Sequence, residues 1–384
     1  MEQDGDPETI PYATLAKLSG VSREEATELQ DYWSYWPEGR VQEFFNRLNE
    51  LVEEDVHMEF ENIFFTGIDS KDSKTRALAA TGLGESNHPS AVRRLTRLLR
   101  GDESEDVRVS AALSLGRFTP LAHEEKLTER QGCAIREALK EAFEDELETM
   151  EVRRRCLEAI AVFQDDVVEA FIEEAYEHED LAMRQSAVHA MGRNCDEQWL
   201  DHVVPELDNF DPAVRYEATL ALGQIGDESH IGDVSRMLDD EDLEVQVAAV
   251  MAIGYIGGQK ATRTLRSLVR SQDPAVKQAA NDALQYIEVE DMTIMSHDPQ
   301  SEEDVRDAGM VEDLAEGYSE YEEDGDLYID DGDLEGAGFA APPAESGSSQ
   351  WLDEEEDEWE DHMVLTDEDI EYFASNDEDS FYER

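Results

Sequence analysis

The chain has 384 residues, with 96 Asp and Glu against 31 Lys and Arg and a net charge of −65. That balance repels phosphate backbones and anionic lipid headgroups, which excludes nucleic acid and membrane surfaces as direct partners. No apolar run approaches the roughly 18 residues that span a bilayer, and three cysteines, Cys133, Cys156 and Cys195, without a Cys-x-x-Cys spacing read as reduced thiols of a cytoplasmic protein.

Residues 1–21 read as an irregular N-terminus, and the acidic stretch from Met1 to Glu8 has no leader-like character. Ser22-Arg-Glu-Glu25 fits a capping box that opens a helix running toward Trp33 and Trp36, where Pro37 breaks it. A second, amphipathic helix follows over Val41 to Val52. Residues 22–66 are therefore expected to form a helical cap, because the end unit of a repeat array has an uncovered apolar face.

From there a pattern close to Val-Arg-x-x-Ala-x-x-Ala-Leu-Gly returns. Its opening pairs are Thr75-Arg76, Val107-Arg108, Val152-Arg153, Met183-Arg184, Val214-Arg215, Val245-Gln246 and Val276-Lys277, spaced 32, 45, 31, 31, 31 and 31 residues apart. A sustained period of this length predicts stacked supersecondary units over residues 67–288. Counting Val214 as zero, apolar or small residues fall at offsets 0, 4, 7, 8 and 11, one face of a helix that Gly226 ends. Asp211-Pro212 and Asp273-Pro274 supply N-caps followed by Pro at the first helical position. Trp199 to Leu207 makes a shorter preceding helix, so each unit is a helix A, a tight turn and a helix B. The small residue at offset 4 (Ala79, Ala111, Cys156, Ala187, Ala218, Ala249, Ala280) and Gly at offset 9 in most units let neighbouring helices approach closely. The 45-residue step adds 14 residues between Phe118 and Glu148, which should lengthen the connection or helix A of the third unit.

The strings Ala213 to Asp227 and Val250-Met-Ala-Ile-Gly-Tyr-Ile-Gly-Gly258 resemble HEAT repeats of the phycobilisome-lyase-like subclass, over about residues 41–288. The resemblance implies an all-α, right-handed α-solenoid of about seven helix pairs. It also implies several possible activities, since scaffolds, adaptors, lyase subunits and an iron hydroxylase share that architecture. The hydroxylase places His-Glu pairs at offsets 2 and 3 of its B helices. Here those offsets hold Val109-Ser110, Arg154-Arg155, Gln185-Ser186, Tyr216-Glu217, Val247-Ala248 and Gln278-Ala279, without a histidine, which argues against such a metal site. His123-Glu124 and His178-Glu179 fall in turns or the insertion, and Trp199 with His202 reads as packing. No phosphate loop, nucleophile motif or zinc spacing is present, and no cofactor is expected.

Offsets 2, 6 and 10 of helix B face solvent in an ideal unit. In the fifth and sixth units they bring Tyr216, Leu220, Val247, Met251 and Tyr255 into an apolar and aromatic patch, and elsewhere they present Leu113, His189 and Arg193. These eight residues are the candidate protein-binding stripe. The Arg at offset 1 (Arg76, Arg108, Arg153, Arg184, Arg215), often near an acidic turn (Asp72, Asp106, Asp180, Asp211), reads as a structural ladder to the neighbouring unit. Two A helices carry basic faces, Arg93, Arg97 and Arg100 in one and Arg263, Arg266 and Arg270 in the other.

From Glu288 onward 37 Asp and Glu meet only Arg306 and Arg384, a net of −35 in 97 residues that leaves −30 on the other 287. Residues 289–384 read as an acidic, mostly disordered tail. Trp351 and Trp359 punctuate its acid run, and Ile370, Tyr372 and Phe373 could form a short docking helix behind Thr366. The tail is a candidate for contact with Arg93, Arg97, Arg263 and Arg266. Together these readings favour a non-catalytic scaffold or adaptor that binds protein, with a bilin-lyase-like subunit or chaperone of a pigment protein as the alternative.

Overall fold

In a computed structural model, residues 10–296 are described, apart from Val56, Asn87 and Pro89. Every secondary-structure element among them is helical. Two short segments precede the stack: α1 (Tyr12–Leu15), continued by a 3-10 turn at Ala16–Leu18, and α2 (Arg23–Trp33). The first lies within the stretch expected to be irregular. It is ordered by Ile10, Leu15 and Leu18, which are all buried, and by the Gly20 amide, which donates to the Glu59 carbonyl at 2.8 Å. Gly20 has φ 74°, a left-handed conformation that glycine adopts without a Cβ penalty. The capping box forms as read: the Glu25 amide donates to Ser22 Oγ at 3.3 Å, and the Ser22 amide donates back to Glu25 Oε2 at 2.8 Å.

α3 (Glu38–Glu54) starts just after Pro37, three residues earlier than its apolar pattern implied, because Pro37 itself occupies the N-cap. Seven helix pairs follow. They are α4 (Glu61–Gly67) with α5 (Ser73–Leu83), α6 (Ser90–Gly101) with α7 (Glu105–His123), and α8 (Glu129–Glu144) with α9 (Met150–Ile160). Then come α10 (Asp166–Tyr176) with α11 (Leu181–Asn194), α12 (Leu200–Glu206) with α13 (Pro212–Ile225), α14 (Ile231–Arg236) with α15 (Leu243–Ile256), and α16 (Gly258–Leu268) with α17 (Pro274–Ser296). The repeat is an α-solenoid unit, and the B helices α3, α5, α7, α9, α11, α13 and α15 lie side by side in chain order.

The insertion is shared between two helices. α7 runs 19 residues through Pro120 to His123, and α8 reaches 16 residues, so of the two expected places, connection or A helix, the A helix lengthens, and the preceding B helix does too. α17 continues to Ser296, past the boundary at 288 that the change in composition suggested. Gly226 ends α13 in an extended conformation (φ −75°) and not in a left-handed cap, and a Cβ there would lie 2.5 Å from the Leu222 carbonyl oxygen, which only glycine avoids. The N-caps behave as the sequence implies: Asp211 accepts from the Ala213 amide at 2.9 Å, and Asp273 from Ala275 at 2.8 Å.

Two devices set the register between units. In the first, glycine at offset 9 of one B helix faces alanine at offset 7 of the next. A Cβ on Gly223 would meet Ala252 Cα at 2.5 Å, one on Gly192 would meet Ala221 Cα at 2.8 Å, and one on Gly254 would meet Ala283 Cβ at 2.9 Å. The backbones thus approach more closely than ordinary side chains permit.

The second device is the arginine ladder, with different acids from those nearest in sequence. Asp72, Asp180 and Asp211 cap their own helices. The rungs reach instead to the turn before the next B helix: Arg76 grips both oxygens of Asp102 at 2.8 Å, Arg108 both of Glu148 at 2.8 Å, and Arg215 both of Asp240 at 2.8 Å. Each guanidinium also donates to a backbone carbonyl, namely Ser70, Asp102 and Asn209 respectively. The rungs stop where the acid is missing. His178 and Asn209 stand at the matching positions for Arg153 and Arg184, so Arg153 keeps its local bond to the Phe143 carbonyl at 2.8 Å and reaches only the exposed Glu174 of α10 at 3.8 Å.

The electrostatics agree with this geometry. The Arg215 hydrogen bonds hold Asp240 below the ordinary carboxylate value against the opposing effect of burial. Burial would raise Asp102 and Glu148, but their arginine and amide donors outweigh it and both also titrate low.

Candidate protein-binding face

The outward side of the B helices divides into chemically distinct stretches. On α13, Tyr216 and Leu220 are half-buried, and on α15 Val247 is half-buried while Met251 and Tyr255 are 36% and 38% exposed. Tyr255 meets Tyr286 of α17 edge-on, with ring centroids 5.6 Å apart. Tyr286 is 44% exposed and extends the patch by one helix. It occupies offset 10, the same place as Tyr255, so the signal lay in the repeat phase. Burial pushes the Tyr216 phenol up, with further contributions from Glu217, Glu244 and Tyr255. This surface is apolar and aromatic at its centre and rimmed by carboxylates.

The other three candidates do not join it. Leu113, on α7, is 47% exposed but stands alone. Between it and Tyr216 lie α9 and α11, whose outward positions are charged. Ser186 Oγ donates to Glu158 Oε1 at 2.6 Å and accepts from Arg154 Nε at 2.9 Å. Arg155 bridges Glu151 at 2.7 Å and Glu158 at 2.8 Å. His189 Nδ1 lies 2.9 Å from Glu217 Oε2, and Gln185 donates to the same carboxylate at 3.4 Å. Arg193 reaches past α9 and donates to the Gly116 carbonyl of α7 at 3.1 Å. Burial lowers its guanidinium, with the Glu158 charge opposing. His189 and Arg193 are thus spent on internal contacts, and the expected eight-residue stripe resolves into a patch, a polar band and one isolated leucine.

Other sequence candidates have structural places. The Trp199 indole is buried, donates to Asn194 Oδ1 at 2.9 Å and packs against His202, which also meets Tyr176. Among the described residues, no group of three or more His, Cys, Asp or Glu side chains is placed to hold a metal ion. None of the described helices is long and apolar enough to cross a membrane. Trp351, Trp359, Ile370, Tyr372 and Phe373 lie outside the described residues, as does any tail contact with Arg93, Arg97, Arg263 or Arg266.

A family model for HEAT repeats matches residues 63–130 and 200–285, the two stretches that flank the inserted unit and the polar band. Both stretches are therefore built of HEAT repeats. Between those stretches α8 to α11 continue the stack with the same pairing of helices, although α8 is lengthened. No curated protein matches the chain.

Solved structures with a similar fold include YibA of E. coli, at 17% identity over 74% of this chain and 99% of that one, with a TM-score of 0.40. Another is the complex of CpcE and CpcF of phycocyanin lyase from Nostoc sp. PCC7120, at 20% identity over 53% and 79%, with a TM-score of 0.39. Human deoxyhypusine hydroxylase in complex with glycerol is similar at 18% identity over 69% and 96%, with a TM-score of 0.31. Likenesses this distant carry no argument about activity.

Proposed function

We propose that this HEAT-repeat chain is a non-catalytic adaptor that binds another protein through the face formed by α13, α15 and α17. The observation that carries the reading is the adjacency of exposed Met251, Tyr255 and Tyr286 with half-buried Tyr216, Leu220 and Val247, on helices locked by glycine–alanine contacts. Tyr and Met are enriched in protein interfaces, and a rigid aromatic surface loses little side-chain entropy on docking. The polar band on α9 and α11 has its charges satisfied internally, which leaves the apolar face as the stretch with unspent binding capacity.

A reduced, cytoplasmic setting belongs to the proposal, and the free thiols of Cys133, Cys156 and Cys195 support it. The acidic sequence beyond residue 289 is proposed as a secondary contact for the same partner.

A photo-crosslinking amino acid placed at Tyr255 of the full chain tests the reading in host cells, with the same probe at exposed Lys260 as reference. A protein captured at 255, absent at 260 and lost on Met251→Asp is the expected result. Identical captured sets at both positions would overturn it. Capture of a pigment protein together with attachment of its bilin would replace the adaptor with the lyase reading.

A further inference from the structure

The charge on the A-helix side departs from the rest of the molecule. α6 carries Arg93, Arg94, Arg97 and Arg100 and no acid, while its opposite face buries Ala91, Val92, Leu95 and Leu99. Arg93, Arg97 and Arg100 line a groove of about 770 Å³ together with Arg130 from the first turn of α8. Through Ser90 and Arg93 this groove continues into a second cavity of about 290 Å³, which adds Arg23 and Arg94. Arg100 is paired with Glu141 at 2.7 Å and Arg94 with Asp69 at 3.4 Å. Arg23, Arg93, Arg97 and Arg130 have no acidic partner among the described residues. Arg263 and Arg266 on α16 and Arg270 just after it lack an acid among the described residues as well, but only the α6 and α8 arginines converge on this groove. Like charges one helical turn apart repel, so an anion between them would relieve a cost built into the fold.

We propose that the α6–α8 groove docks a short acidic peptide segment of a partner protein. The spacing fits such a ligand. Arg93 and Arg97 are four residues apart on one helix, about 6 Å along its axis, a distance that an extended peptide covers in about two residues. A run of consecutive Asp and Glu therefore presents a carboxylate to each guanidinium, whose planar fork donates two parallel hydrogen bonds to it. Long polyanions are disfavoured because the charge of −65 repels any segment that extends beyond the groove. The site lies on different helices from the Tyr255 face, so either can fail alone.

The test uses the full chain and a fluorescein-labelled hexaglutamate peptide, with anisotropy titrations at low salt and at about 0.3 M salt. Reversing the groove charge with Arg93→Glu, Arg97→Glu and Arg130→Glu should weaken binding about ten-fold or more at low salt. The exposed pair Arg263→Glu and Arg266→Glu on α16 serves as control and should change it less than about two-fold. Circular dichroism confirms that the variants keep their helices. Equal losses in both variants, or no binding to any form, would overturn the site. Displacement by millimolar inorganic phosphate would make it a phosphate site instead. Binding that appears only after Asp353 to Glu358 are changed to Asn and Gln would show that the chain's own acidic run takes the groove, and the assignment to a partner would fall.

Discussion

The B helices α9 and α11 and the B helices α13, α15 and α17 are built on the same frame, yet they present opposite chemistry. At offset 6 the first pair places Glu158 and His189, α13 and α15 place Leu220 and Met251, and α17 joins the apolar group only at offset 10 through Tyr286, since its offset 6 is Asp282. Glu158 is buried in a network with Ser186 and Arg155, whereas Met251 is open to solvent. The repeat thus fixes where a side chain points without fixing what it does there. Architecture is uniform along the array, and binding capacity is local.

The contrast can be broken first at the ladder. Asp240→Asn or Arg215→Ala leaves a nearly buried charge without its partner and should cost roughly 3 to 5 kcal/mol in urea unfolding at neutral pH. Arg184→Ala, at a position with no rung, should cost under about 1 kcal/mol. A cost for Arg184 equal to that for Arg215 would mean that the rungs contribute nothing special. Because Asp102, Glu148 and Asp240 titrate below their ordinary values when folded, their contribution is fully present above about pH 4. It is lost as pH falls through the folded values, so the wild-type chain should lose stability more steeply below pH 4 than Asp240→Asn.

The next effect concerns the two packing registers. Gly223→Ala drives a methyl into the Ala252 backbone and should destabilise by about 1 to 3 kcal/mol. Gly116→Ala meets Ala159 Cβ at 3.2 Å and should cost visibly less, measured as a difference in thermal midpoints. Glu158→Ala removes the acceptor for Ser186 and Arg155 and should cost about 2 kcal/mol. Smallest of all, Met251→Asp should change stability by under about 0.5 kcal/mol while abolishing capture at Tyr255. A large stability loss there would reclassify the patch as core.

Much of this was legible in the residues. The 31-residue spacing, the capping box at Ser22 and the small residues at offsets 4 and 9 each follow from a local pattern whose physical reason acts within one helix or between adjacent ones. The aromatic patch followed from phase alone, and the same phase also contained Tyr286. What sequence reasoning missed depends on which helix lies beside which. Arg76, Arg108 and Arg215 have acids nearby in sequence, yet Asp72 and Asp211 serve as N-caps and Asp106 lies in the first turn of α7, and the true partners lie 25 to 40 residues away. His189 and Arg193 occupy solvent-facing offsets, but their neighbours on α13 and α7 hold them. The groove on α6 was visible only as a basic face until α8 supplied Arg130 across from it.

The reach of Arg193 from α11 to the Gly116 carbonyl skips the helix between them. A stack whose units touch only their immediate neighbours can flex at every joint, like a chain of hinges. This strut joins next-nearest units, so α9 cannot pivot without breaking it. Flexing of the array should therefore concentrate on either side of the α7–α11 section, which would act as a stiff splint.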